Sequence, residues 1–499
     1  MLEGRRPPKQ PATRTGRYTD GKTRCLASAI DQTRPMTSKE VATRSGPWSR
    51  GRRRLTAGML LIVTLVALEA LSVATILPVV SRHLGDLRLY GWVFSAYFLT
   101  NLVGSVIGGN VADRRGLSTP LLGGLLLFGA GLLIGGLAPD MAVLVFGRAV
   151  QGLGGGSVAA SAYVAVGLGY AEADRPRMLA LFSSAWVVPG LVGPVLAALV
   201  TDAVGWRWVF LGLLPVIVAS ALLAAPALRK VPRPSATAVP GLPIVPALGA
   251  AAGAGAVLSG LTLAQPLATG ALVAVGLAAA IPSLVRLTPP GTLRAKAGLP
   301  AAVLSRGLLT FGFFSGDAYM PFLLTNVRHQ PTFVAGLTLT ASTMTWTVGA
   351  WVQERRVRLI GPRRLVGAGQ AAVVVGLGGL AACLLPDVPP WVAVPAWGLA
   401  AFGMGLAYSP VSLTALDLAP AGRQGWATSA VQLNDVLGTA LGAGVAGAAV
   451  ALGQRLGDVR LGLLAALGVA ATVGLTGVAA SRRVPYTLGG EKSALNHLQ

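Results

Sequence analysis

Charge is what this chain lacks. Of its 499 residues 12% are Asp, Glu, Lys or Arg, and 18 of those are acidic; a soluble protein carries about twice that share of charge. With a mean hydropathy of +0.65 and repeated apolar runs of about 20 residues, the chain is an integral membrane protein. Cysteine is nearly missing: Cys25 and Cys383 stand in unrelated contexts and define no disulfide framework and no metal site. The histidines His83, His329 and His497 show no ligand spacing, so a His-based catalytic cluster has nothing to build on. No Walker-type phosphate loop is present, which argues against ATP hydrolysis by this chain. Strands alternating apolar and polar residues are missing too, which excludes a β-barrel. Aromatics are scarce at 6%, while glycine numbers 66. Small residues let membrane helices approach closely, so the composition predicts a packed polytopic bundle.

The net charge of +23 is distributed against a nucleic-acid role. Residues 1–54 hold fourteen Lys/Arg and four Asp/Glu without a hydrophobic period, which predicts a disordered basic segment. It has no apolar core of a signal peptide. It reads either as a basic tail touching anionic lipid or as sequence preceding a true start at Met36. Apolar runs predict spans near 55–79, 90–112, 118–138, 141–167, 178–201 and 206–228, a middle pair near 242–264 and 267–286, and six more near 300–326, 333–353, 364–385, 391–416, 426–451 and 459–481. The expected fold is all-α: a six-helix bundle over 55–228, a linker with two additional helices over 229–299, a second six-helix bundle over 300–483 and a tail over 484–499. Loops on the terminal side hold nineteen Lys/Arg and those on the other side six. That bias predicts a multi-pass protein of the inner (plasma) membrane with both termini cytoplasmic.

Several motifs lie in order along these spans. "GGNVADRRGLS" (108–118) has the pattern Gly-x-x-x-Asp-Arg-x-Gly through Gly109, Asp113, Arg114 and Gly116, and resembles the signature loop of the major facilitator superfamily. Leu117 stands where that family usually has a basic residue. A degenerate second copy, "GAWVQERRVRLIGPRR" (349–364), follows the tenth span. "GRAVQGLGGG" (147–156) resembles the fourth-helix motif through Arg148, Gln151 and Gly152. "VVPGLVGPVLAALV" (187–200) resembles the fifth-helix antiporter motif, centred on Gly193 and Pro194, with Ala197 and Ala198 replacing paired glycines. Glu69, Thr75 and Pro78 resemble the acid, Thr and Pro of drug–proton antiporters, and "GWVFSAYFL" (91–99) their second span. Six spans, a pair and six more resemble the fourteen-helix branch. In the family the 108–118 loop latches the two halves. On physical grounds Gly109 permits close packing, Gly116 a tight turn, and Asp113 favours a helix N-terminus.

A carboxylate inside "LLIVTLVALEALSVATILPVV" (60–80) costs at least ~2.5 kcal/mol in a bilayer, which marks Glu69 as functional. At a 1.5 Å rise, Glu69, Arg148 and Asp317 lie about 15, 10 and 13 Å from the outer ends of their spans. Three ionisable groups therefore share one level. A carboxyl group held between burial and a guanidinium can bind and lose a proton. Glu69 and Asp317 are the expected proton carriers, with Arg148 tuning Glu69. Substrate contacts are expected from Tyr97, Gln151, Trp186, Phe314, Asn434 and Asp435, with Gln432 beside the last two. The alternatives are a permanent Glu69–Arg148 ion pair and plain helix packing for the others.

The resemblance implies a secondary transporter, not an enzyme, that exports amphipathic small molecules in exchange for protons. It needs no cofactor beyond the proton gradient and no nucleic acid, and works as a monomer in the lipid bilayer. The competing readings are a dedicated exporter of one endogenous metabolite or lipid and, from another class, a membrane-embedded enzyme. The orientation is open to direct test. Single cysteines placed within 229–241 or 354–364 are expected to resist an impermeant thiol reagent in intact cells; labelling of both from outside reverses the topology.

Overall fold

The structure is a computed structural model that describes residues 46–49, 52–170, 174–228, 243–420 and 423–486. Most of the basic head, the 229–241 segment and the end of the tail therefore lie outside the described residues. Without water to satisfy backbone groups, apolar runs in a bilayer close their hydrogen bonds within helices. Fourteen long helices result among the described residues. The first six are α1 (Arg53–Leu84), α2 (Tyr90–Arg115), α3 (Ser118–Gly136), α4 (Met141–Gly169), α5 (Arg175–Val204) and α6 (Leu214–Leu228). The middle pair is α7 (Ile244–Thr262) and α8 (Pro266–Leu287). The last six are α9 (Leu299–Phe322), α10 (Thr332–Ile360), α11 (Pro362–Ala382), α12 (Ala393–Asp417), α13 (Gln424–Arg455) and α14 (Val459–Ser481).

The sixth span is interrupted: a short helix, Arg207–Leu211, precedes α6. Thirteen of the helical segments are long and apolar enough to cross a membrane, and α10 is the long helix left out. Its polarity comes from Ser and Thr, whose hydroxyls bond back onto their own helix. Thr338 donates to the Val334 carbonyl at 2.8 Å and Thr347 to Thr343 at 2.9 Å. A hydroxyl satisfied in this way can sit in hydrocarbon.

In the first group α4 packs between α2 and α3, and α1 lies against α5 and α6. In the last group α12 packs between α10 and α11, and α9 lies against α13 and α14. The turn after the second helix of each group is closed alike. Gly116 (φ 83°) ends α2 with its N–H on the Ala112 carbonyl, and Gly361 (φ 83°) ends α10 with its N–H on Val357. That backbone region suits glycine, so the two connections repeat one geometry.

The middle pair joins the groups on one side. α7 touches both α2 and α13, and α8 packs on α7. Arg455 at the end of α13 donates to the Leu263 carbonyl at 2.8 Å and to that of Thr262, capping α7. Arg483 donates to the Arg294 carbonyl at 2.8 Å and to Ala295 at 3.2 Å beyond α8. These polar attachments run to the last group. The α7 face on α2 is apolar, with Leu99 and Leu102 against Ala250, Ala254 and Leu258.

Glycine sets the spacing of the first group. A Cβ on Gly152 would collide with the Tyr97 carbonyl and the Thr100 hydroxyl, so α2 and α4 touch backbone to backbone there. At Gly109, by contrast, nothing lies within 4 Å; the close approach in that loop is made by its neighbour Gly108, against Ser157. Gly152→Val is expected to lower stability by about 1–3 kcal/mol through overpacking, read as a fall in the thermal unfolding midpoint of purified protein. Gly109→Val should leave that midpoint within error of wild type.

Candidate functional site

Glu69 lies halfway along α1 and is fully buried. Its partner is Arg148 of α4, also buried, with Nη1 in an ion pair with Oε1. The guanidinium is held from other sides as well. Nη1 donates to Gln151 Oε1 at 2.6 Å, Nε donates to the Val93 carbonyl at 3.1 Å, and the group lies 4.3 Å above the Tyr97 ring. Among the described residues no hydrogen bond of normal geometry reaches Glu69 Oε2 or Gln151 Nε2. The α2–α4 glycine contacts bring Val93 and Tyr97 close enough to serve as this cradle.

Asp317 is not part of this cluster. It lies on α9, half-buried, where the Trp397 indole N–H of α12 donates to Oδ1 at 3.0 Å. No cation forms an ion pair with it among the described residues. Asp435 of α13 has a cation that the sequence reading missed. Arg306 of α9, with its side chain 2% exposed, stands 3.8 Å from Asp435 and 3.4 Å over the Tyr408 ring. Tyr408 donates to Asp435 Oδ2 at 2.8 Å. Asn434 turns back to the Ala430 carbonyl at 2.9 Å, and Gln432 is exposed.

A run of rings links these acids. Tyr97 meets Phe98 at 5.3 Å, Phe98 meets Phe314 at 6.4 Å across the two groups, and Phe314 meets Phe313 at 5.3 Å. Phe313 stacks on Trp397 at 4.8 Å and meets Trp346 at 5.5 Å, which reaches Tyr408 at 5.7 Å. Tyr97 and Phe314 thus belong to one wall. Trp186 stands outside it and is exposed on α5. Phe98, Phe313, Trp346, Trp397 and Tyr408 escaped the sequence reading because single aromatics in separate spans carry no spacing signal.

The groups meet along a seam bonded at one end. Arg82 donates to Asn326 at 2.8 Å, Tyr90 to the Ala318 carbonyl at 3.3 Å, Ser95 to Ala440 at 2.7 Å and Thr340 to Leu191 at 3.3 Å. All these lie in the half away from the α1 N-terminus. The antiporter-like stretch of α5 is part of this seam: Gly193 packs on Leu68, and the Pro194 carbonyl lies against Gly336 of α10. At the opposite end Asp113 and Arg114 are exposed, and Gly116 closes the turn.

The Major Facilitator Superfamily model matches residues 59–443. The chain belongs to this superfamily. A probable multidrug-efflux transporter of Mycobacterium tuberculosis is 28% identical over 460 residues, covering 87% of this chain and 96% of that protein. A vacuolar basic amino acid transporter of Saccharomyces cerevisiae is 36% identical over 160 residues, or 32% of this chain and 28% of that protein. Among solved structures, a peptide transporter in complex with sulfate superposes with a TM-score of 0.65 at 18% identity, covering 91% of this chain and all of that one. A D-xylose–proton symporter superposes with a TM-score of 0.63 at 14% identity, covering 87% and 98%. These last two likenesses show the fold. The protein is a multi-pass superfamily transporter and not an enzyme.

Removing one partner of a buried ion pair strands the other. Glu69→Gln is expected to lower unfolding free energy by about 3–5 kcal/mol, and Arg148→Gln added to it should recover most of that loss. A thermal unfolding series of wild type, both single variants and the double variant measures it; equal midpoints for wild type and Glu69→Gln would show that the pair contributes nothing.

Proposed function

We propose that the protein is a proton-coupled exporter of amphipathic small molecules from the cytoplasm. The observation that carries this reading is the buried Glu69–Arg148 pair beside a seam that, among the described residues, is bonded only at its far end. A charge pair fully removed from water is costly to keep for structure alone, and in a membrane bundle such groups mark ion pathways. Glu69 takes a proton when the seam opens to the outside and yields it when the near end is open. Arg148, already held by Gln151, Val93 and Tyr97, keeps its place in both states. Asp317 is the second carrier, with Trp397 as its hydrogen-bond donor. The ring wall accepts the apolar part of a substrate, and cationic groups gain from its faces. The near end, with both termini, faces the cytoplasm of a plasma membrane. The multidrug-efflux name of the mycobacterial relative favours a broad substrate range.

Opening outward requires breaking the Arg82–Asn326, Tyr90–Ala318 and Ser95–Ala440 bonds while the near ends close. The Asp113 loop lies at the near end, where the closing latch belongs. The coupling test uses proteoliposomes. Glu69→Gln cannot ionise and is expected to lose uphill efflux driven by a pH gradient while keeping downhill exchange. Glu69→Asp should keep part of the coupling. Glu69→Gln/Arg148→Gln, restored in fold, should remain uncoupled, which separates loss of coupling from loss of stability. Full gradient-driven efflux by the folded double variant would remove Glu69 from the mechanism.

A further inference from the structure

The last group holds a second charge cluster built like the first. Arg306 lies over Tyr408 as Arg148 lies over Tyr97. Each arginine faces a carboxylate from another helix, and each carboxylate keeps one oxygen without a hydrogen bond among the described residues, Oε2 of Glu69 and Oδ1 of Asp435. Arg306 is further held by Ser412, to which Nη2 donates at 2.5 Å, while its Nε and Nη1 make no hydrogen bond among the described residues. At 3.8 Å the second ion pair is loose. The difference between the clusters is access. Glu69 is sealed, whereas the Asp435 side chain is 13% exposed and stands in the half of the seam with no described bond between groups.

We propose that Arg306, Asp435 and Tyr408 form a second proton-carrying cluster, so that each export cycle moves one more proton than Glu69 and Asp317 supply. This inference rests on the proton-coupled reading above. The charged and titratable groups around Asp435 are Arg306 from α9, Tyr408 from α12 and, from α4 of the facing group, Tyr163 within electrostatic reach. On α13 itself its neighbours Asn434 and Gln432 are neutral. A proton from cavity water adds to the carboxylate, no covalent bond breaks, and the proton returns to water on the other side. The Tyr408 hydroxyl donates to the carboxylate and accepts from the carboxylic acid, so neither state leaves it unpaired. Arg306 is a positioning residue: its fixed charge holds the carboxylate ready in the open state, and Ser412 keeps the guanidinium in place once the proton has neutralised Asp435.

The test is the limiting substrate gradient in proteoliposomes under a pH step of one unit with the membrane potential clamped at zero. Each coupled proton multiplies that gradient by about ten. Asp435→Asn alone strands Arg306, so the variant used is Asp435→Asn/Arg306→Gln, checked for a wild-type unfolding midpoint. A limiting gradient about tenfold below wild type, with uphill efflux retained, supports the extra proton. A gradient equal to wild type overturns it, and so does loss of all uphill efflux with exchange intact, because Asp435 would then be the shared carrier rather than an additional one. If wild type itself builds no gradient, the coupled reading fails before this one is reached. Arg306→Lys, which keeps the cation, is expected to retain the wild-type gradient with a shifted pH profile; an unshifted profile removes Arg306 from the cluster.

Discussion

A guanidinium in the middle of a membrane bundle has to find an opposite charge, and Arg148 finds Glu69. That requirement fixes how α1 and α4 lie relative to each other, because the contact is made by side chains of limited reach. It also ties α2 into the site, since the Val93 carbonyl and the Tyr97 ring complete the cradle. Three helices of the first group are thereby held around one buried charge. In hydrocarbon, apolar surface gives no drive for helix association, so a charge pair and close van der Waals contact carry specificity that a soluble core draws from hydrophobic burial.

The glycines of α4 are the counterpart of that constraint. Gly147 lies against Gly131 and Gly135 of α3, Gly152 against Tyr97 of α2, and Gly156 against Asn101 of α2. A helix this bare on two faces lets its neighbours approach until backbone meets backbone. Only then do Val93 and Tyr97 come within reach of Arg148. The run "GLGGG" and the motif residues Arg148 and Gln151 therefore act together: small residues set a distance, and the polar residues use it.

Much of this was legible in the sequence for a physical reason. Long apolar runs have one outcome in a bilayer, so the helix count and order follow, and the middle pair predicted near 242–264 and 267–286 appears as Ile244–Thr262 and Pro266–Leu287. Helical rise gives an expected depth for Glu69, Arg148 and Asp317. Depth carries no azimuth, and that is why Asp317 turned out to face Trp397 instead of Glu69. Arg306 lies seven residues into its span, where an arginine in the sequence alone reads as a loop charge reaching back to the interface. Its burial against Tyr408 depends on α12, a hundred residues away. Gly109 belongs to the motif, yet it is the helical neighbour Gly108 that faces Ser157. One residue along a helix turns a side chain by about 100°, and the pattern alone does not say which of two adjacent glycines faces inward.

The two groups also share a plan in which the first helix presents an acid to the fourth. Glu69 of α1 meets Arg148 of α4, and Asp317 of α9 meets Trp397 of α12. The backbone geometry repeats, down to the positive-φ glycines after α2 and α10, but the partner changes from a cation to a neutral N–H donor. A cation compensates a carboxylate's charge, whereas an indole N–H satisfies one lone pair and leaves the charge in place. The same scaffold therefore holds one acid as half of a neutral pair and leaves the other with net negative charge whenever it is ionised. With the ring wall running between them, the two acids differ in what approaches them at no electrostatic cost: Asp317 attracts a positive group or a proton directly, while Glu69 must first loosen its hold on Arg148. Repetition of the fold supplies two sites, and the exchange of arginine for tryptophan makes them unequal.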